Sequence, residues 1–244
     1  MKNFKRFGDS RKTPYIEYNK RETNYCLYCG NIAKTREHLP SKVFLDEPYP
    51  ENLPIIPACF DCNNGYSWDE TYVASFTEKL ARAVIPYYSC RDKVDLILDH
   101  DKRLAGILES EINKNDEKVF YQIKLEKFSK ILCKLAKGHT AYEMDEIVFE
   151  SENIQVNFKF LTEMSDDEWD LFNKPFKMDC IPEVGSRIFN RILMLEDANG
   201  IETYNDWVIV QEGRYRYITH IDSNMVIVRI VINEFLYAEV LWEN

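Results

Sequence analysis

Apolar residues recur at helical spacing in three stretches of the chain. After Ser67, Tyr72, Phe76, Leu80 and Val84 fall four apart with Ala83 on the same face, which predicts an amphipathic helix ending before Pro86. A second helix is predicted from about Lys102 to Asn113, following a short apolar stretch at Val94 to Leu98. A third covers Leu125 to Leu135, with Phe128, Leu132 and Leu135 on one face and Gly138 as its expected C-cap. Beyond it the period shortens. Residues 147 to 161 alternate loosely, and Ser165 with Glu168 forms a capping box that opens a short helix through Phe172. Trp207 to Val210 and Tyr215 to Ile218, joined across Glu212-Gly213, predict a hairpin, and Met225 to Ile232 and Phe235 to Trp242 read as further strands. The pattern is that of an α+β chain, with a helical middle and a mostly antiparallel C-terminal sheet.

The stretch from Cys26 to Asn64 stands outside these periodicities. It contains CLYCG, TREHLPSK, ENLP and ACFDCNNG. The pairs Cys26/Cys29 and Cys59/Cys62 can each present two thiolates from one tight turn, and two such knuckles make the tetrahedral sulfur cage that Zn²⁺ prefers. Gly30 after the first pair, and Asn63, Asn64 and Gly65 after the second, tolerate the positive φ that such turns want. Ordinary buried or disulfide-bonded cysteines are the alternative, but doubled spacing in a chain without a secretion signal favours metal. Four thiolates leave no open position on zinc, so the ion is structural and any chemistry comes from residues between the knuckles. Cys90, Cys133 and Cys180 lack close spacing and are expected to be buried free thiols.

Phosphodiester hydrolysis needs a base for water and a cation to neutralise charge on the phosphate. His38 can supply the base near neutral pH. Strand alternation would put Glu37 and His38 on opposite faces, so a bend is required if both are to reach one phosphate, and Pro40 suits a turn there. The order CxxC, Glu37-His38 with Pro40, Asn52-Leu53, then CxxC-Asn63 resembles the HNH endonucleases, the zinc-braced branch of the ββα-metal nucleases, over roughly residues 24 to 75. The resemblance implies two short strands and a helix forming a site that hydrolyses phosphodiesters, expected here to be in DNA. It implies His38 as general base, Glu37 and Asn63 as ligands of a catalytic Mg²⁺ or Mn²⁺, and Asn52 holding the loop that carries His38. Asn52 could equally be a plain turn cap. Most members have Asp where this chain has Glu37. Related nucleases occur in bacterial anti-phage systems, sometimes beside an ATPase, which would make such a protein the chain's regulatory partner.

Charge divides unevenly. The chain holds 31 Lys+Arg against 41 Asp+Glu, yet residues 1–45 hold 10 against 4. Arg11, Lys12, Lys20 and Arg21, interleaved with aromatic residues, make residues 1–23 a basic arm able to neutralise phosphates and stack on bases. Lys34 and Arg36 could hold phosphate oxygens, although a solvated pair with Glu37 is the plainer reading. Asp69 and Glu70 read as acids at a helix start. His139 reads as a helix-end residue, and His100 and His220 have less context still. The expected organisation is the arm, a nuclease unit at residues 24–89, and an α+β region at 90–244 of unassigned role, which either restrains or recruits the nuclease or simply completes the core or sets substrate specificity. No apolar run approaches a membrane span, and the chain is expected in the cytoplasm. The competing function is a catalytically inactive zinc-knuckle module that binds nucleic acid or protein.

Overall fold

Two long helices, α1 (Phe60–Val84) and α4 (Leu125–Met144), pack against each other in the middle of the fold. The computed structural model describes residues 5–6, 24–88, 91–115, 118–149, 153–184, 186–197 and 200–243. α1 starts at Phe60, earlier than its apolar spacing suggests, because Cys59 caps it. The Cys59 backbone is extended and its Sγ accepts the Cys62 N–H at 3.3 Å, while Asp61 complements the helix dipole. Asn63, Asn64 and Gly65 are therefore helical rather than a positive-φ turn. Asp69 and Glu70 lie within the helix and are buried, not at its start.

α4 runs through the expected stop at Gly138 and ends at Asp145, whose backbone is left-handed. Gly138 serves close packing. A Cβ there would lie 2.7 Å from Leu39 Cδ1 and 3.5 Å from Tyr28 Oη. Gly138→Val is expected to lower the melting temperature, since overpacking of about 1–3 kcal/mol outweighs a helix-propensity gain of roughly 0.4 kcal/mol. A thermal melt equal to wild type would remove this reason for the glycine.

The Val94 to Leu98 stretch belongs to a helix, α2 (Asp92–His100), followed by α3 (Lys102–Glu111), whose Leu104 N–H is capped by Asp101 at 2.9 Å. A hairpin of β4 (Ile112–Asn115) and β5 (Lys118–Tyr121) then leads to α4. The short helix α5 (Asp166–Asn173) opens on the expected Ser165/Glu168 capping box.

Five antiparallel strands run in the order β10 (Val208–Gln211), β11 (Tyr215–Asp222), β12 (Met225–Ile232), β13 (Leu236–Glu243) and β6 (Gln155–Phe160). Alternation along β12 buries Val226, Val228, Ile230 and Ile232 against the helices. A second sheet has the order β1 (Lys5–Arg6), β8 (Ile192–Asp197), β9 (Gly200–Asn205) and β7 (Phe176–Met178). The remaining pair, β2 (Thr35–His38) with β3 (Ile55–Ala58), immediately precedes α1.

One hydrophobic core joins Phe44, Tyr72 and Phe76 to Phe128, Phe160, Tyr215 and Val240. Phe76 and Phe128 meet edge to face at 5.5 Å, and Phe76 stacks near Phe160 at 6.3 Å. The core thus crosses the boundary expected near residue 90. Arg11, Lys12, Lys20 and Arg21 lie outside the described residues, as does Cys90. Cys180 is exposed and Cys133 half-buried, so neither is the fully buried thiol expected. Among the described residues no helix is long and apolar enough to cross a membrane.

Candidate metal centre

The first knuckle is a turn closed by two backbone hydrogen bonds, from Cys26 N–H to Asn31 O at 2.7 Å and from Gly30 N–H to Cys26 O at 2.9 Å. Gly30 sits at φ +73°, where a side chain would be strained. The second knuckle is the first turn of α1. Together they bring the sulfurs of Cys26, Cys29, Cys59 and Cys62 within 4.8 Å of one another, with Cys29 and Cys59 at 3.7 Å. A Zn–S bond of about 2.3 Å in a tetrahedron requires S···S edges of about 3.8 Å, so these four cysteines fit a structural zinc ion. The Cys62 N–H holds the Cys59 thiol below its ordinary pKa, whereas burial pushes Cys26 and Cys62 up. A divalent cation would remove the cost of gathering several thiolates in one place.

No family model, curated protein or solved structure matches the chain.

The knuckles clamp β2 and β3 against α1. Asn63, on the first turn of α1, donates through Nδ2 to Thr35 Oγ1 at 3.1 Å and to Arg36 O at 3.3 Å. Thr35 in turn donates to Ala58 O at 2.8 Å. This side chain ties the helix to β2.

β2 stays regular to its end, with Glu37 opposite Ile56 and His38 opposite Ile55. The bend expected between Glu37 and His38 does not occur, and the two side chains take opposite faces. His38 shares its face with exposed Arg36, while Lys34 is exposed just before the strand. Burial and the nearby Lys42 charge hold His38 below its usual pKa, so the ring is neutral at neutral pH. Its Nδ1 is enclosed without a hydrogen-bond partner among the described residues.

Glu37 turns inward. Its Oε1 meets the ammonium of Lys134, a residue of α4 whose side chain is 1% exposed and also bonds Glu70 Oε1 at 2.5 Å. The Ser41 hydroxyl lies 3.2 Å from Glu37 Oε1 and 2.5 Å from Glu70 Oε1. Lys134 also stands over the rings of Tyr66 at 4.9 Å and Tyr28 at 5.4 Å. Burial raises the Glu37 pKa against the pull of Lys134, and Glu37 Oε2 has no partner among the described residues. The expected ligand pair of Glu37 and Asn63 is therefore not assembled: the carboxylate faces Lys134 and the amide faces the β2 backbone.

Asn52, on the connection between β2 and β3, lines a cavity with Tyr142 and Arg187. His139 is fully buried inside α4 instead of lying at its end. Its Nε2 is 2.7 Å from Tyr215 Oη and its ring stacks on Tyr217 at 3.6 Å, and burial keeps it neutral. His220 stacks on Phe176 at 4.5 Å, and His100 ends α2. Asp69 binds Lys127 and Lys130 of α4, the latter at 2.5 Å.

The residues that sequence reasoning missed are Lys134 and Ser41, and Glu70 was read only as an acid at a helix start. Lys134 carried a signal, because a lysine three residues after Ile131 falls on the buried arc of an amphipathic helix.

Proposed function

We propose that the chain is an HNH-type endonuclease that hydrolyses phosphodiester bonds in DNA and is braced by a structural zinc. The observation that carries this reading is the order β2, β3, α1 closed by the four-cysteine cluster, with His38 on the outer face of the last residue of β2. On that face the neutral His38 ring can take a proton from an attacking water. Arg36 shares the face and Lys42 lies close enough to act on the ring, so both supply positive charge where phosphate oxygens would rest. The resemblance also implies Mg²⁺ or Mn²⁺ held by Glu37 and Asn63. Glu37 is engaged by Lys134 on the other face, so it does not fit that ligand role beside His38.

His38→Ala is expected to slow plasmid cleavage by about a hundredfold or more. The wild-type rate should rise with pH and then level off, with the midpoint of the rise below the ordinary histidine value of about 6.5, because the ring must be unprotonated to act. Assays with Mg²⁺, with Mn²⁺ and with EDTA, each with zinc content measured alongside, report the metal requirement separately from loss of the brace. Equal inactivity of wild type and His38→Ala under all these conditions, with DNA binding retained, would instead establish a zinc-knuckle binding module. That second reading draws support from the commitment of Glu37 to Lys134. An ATPase partner acting on the body of the protein belongs to the same proposal.

A further inference from the structure

A cavity of about 260 Å³ lies between the connection from β2 to β3, the C-terminal turn of α4 and the edge strand β10. Its walls carry two arginines in different electrical states. Arg191 is buried and donates through Nη1 to Glu143 Oε2 at 2.7 Å; the other Glu143 oxygen accepts from the Tyr217 hydroxyl at 2.5 Å. Asp206 adds a further negative charge near Arg191. Arg187 has no such compensation: its guanidinium lies 4.0 Å from the Tyr142 ring centre and donates through Nη1 to Tyr142 O. No carboxylate pairs with it among the described residues. The Nε groups of both arginines are buried without hydrogen-bond partners among the described residues.

Enclosed N–H groups on a cation that lacks a counter-charge are costly unless an anion from solution completes them. Guanidinium groups suit phosphate because their forked N–H groups match its oxygens. Asn52 and Glu143 add polar groups to the wall, and Leu53, Pro54, Val208 and Val210 form an apolar side that can cover a flat organic group. The volume falls just below the roughly 300 Å³ at which pockets for drug-sized ligands begin, which suits one nucleotide unit and not a polymer. We propose that this cavity binds a phosphate monoester of mononucleotide size, with the phosphate on Arg187 and Arg191 and the base against the apolar wall. The site is separate from the outer face of β2 and does not depend on the cleavage reading.

Titration calorimetry of the full chain tests it, with adenosine monophosphate, inorganic phosphate and adenosine as probes. Adenosine monophosphate should bind saturably at one site, inorganic phosphate more weakly, and adenosine not measurably. Arg187→Gln should weaken adenosine monophosphate about tenfold or more while keeping the wild-type melting temperature. Val208→Phe, which fills the cavity and leaves both arginines in place, should abolish binding and serves if Arg187→Gln does not fold. His38→Ala should bind as wild type. The proposal is overturned by the absence of saturable binding of adenosine monophosphate, by equal affinity for adenosine, by unchanged affinity in both cavity variants, or by loss of binding in His38→Ala.

Discussion

Cys59→Ser is expected to empty the four-cysteine centre of zinc and to lower the melting temperature by more than about 10 °C. At roughly 2–4 °C per kcal/mol for a chain of this size, a loss of only a few kcal/mol is enough. Cys59 contributes twice, because its sulfur is a zinc ligand and also caps α1 through the Cys62 N–H. The cap alone accounts for about 0.5–2 kcal/mol. The larger part comes from the metal, since structural zinc binds with about 10–16 kcal/mol in small zinc domains and that energy is coupled to folding. The whole chain should not unfold, because the core around Phe76, Phe128 and Phe160 lacks metal ligands. Cys180→Ser, on an exposed thiol, should match wild type. One zinc per chain by elemental analysis in Cys59→Ser, with an unshifted melt, would sink the assignment.

Lys134→Met should destabilise the fold by about 3–5 kcal/mol, the usual cost of removing one partner from a buried ion pair. Lys134 is the cation between Glu37 and Glu70, and its loss leaves two buried carboxylates beside each other. The pH dependence has a definite sign. Burial holds Glu37 above its ordinary value in the folded protein, so the folded state takes up a proton more readily than the unfolded chain. The penalty for ionising Glu37 is therefore absent in acid and grows as pH rises from about 4.3 to the folded value. Removing the ammonium raises that value further. The deficit of Lys134→Met relative to wild type should widen with rising pH and narrow in acid, and Glu37→Gln in the same chain should restore part of it. A deficit independent of pH, measured by denaturant titration across the range, would show that Lys134 acts through packing alone.

The sulfur centre was legible because its signal is local: each knuckle sits within four residues, and the spacing alone implies the cage. The strands β12 and β13 and the Ser165 cap were legible for the same reason. The start of α1 was not, since nothing in its apolar pattern says that a metal-ligating cysteine also caps the helix. Gly138 looks like a stop in sequence, but it is a point of contact with Leu39, and that depends on a partner far away in the chain. Glu37 was read through its neighbour His38, whereas its orientation is set by Lys134, 97 residues later. Local chemistry announces itself in spacing, while long-range electrostatic pairing leaves only a lysine on an apolar arc.

The lysine beneath β2 comes from the same helix that packs, through Phe128 and Leu132, into the core shared with the large sheet. The strand pair and the sheet therefore lean on one helix. A cassette of knuckles moved to another protein would carry Glu37 and Glu70 without the ammonium between them, on a surface shaped to receive α4. Substitutions on the outer face of β2 leave this ion pair untouched, but substitutions on its underside must be matched within α4. Each half is thereby a condition on the other's sequence.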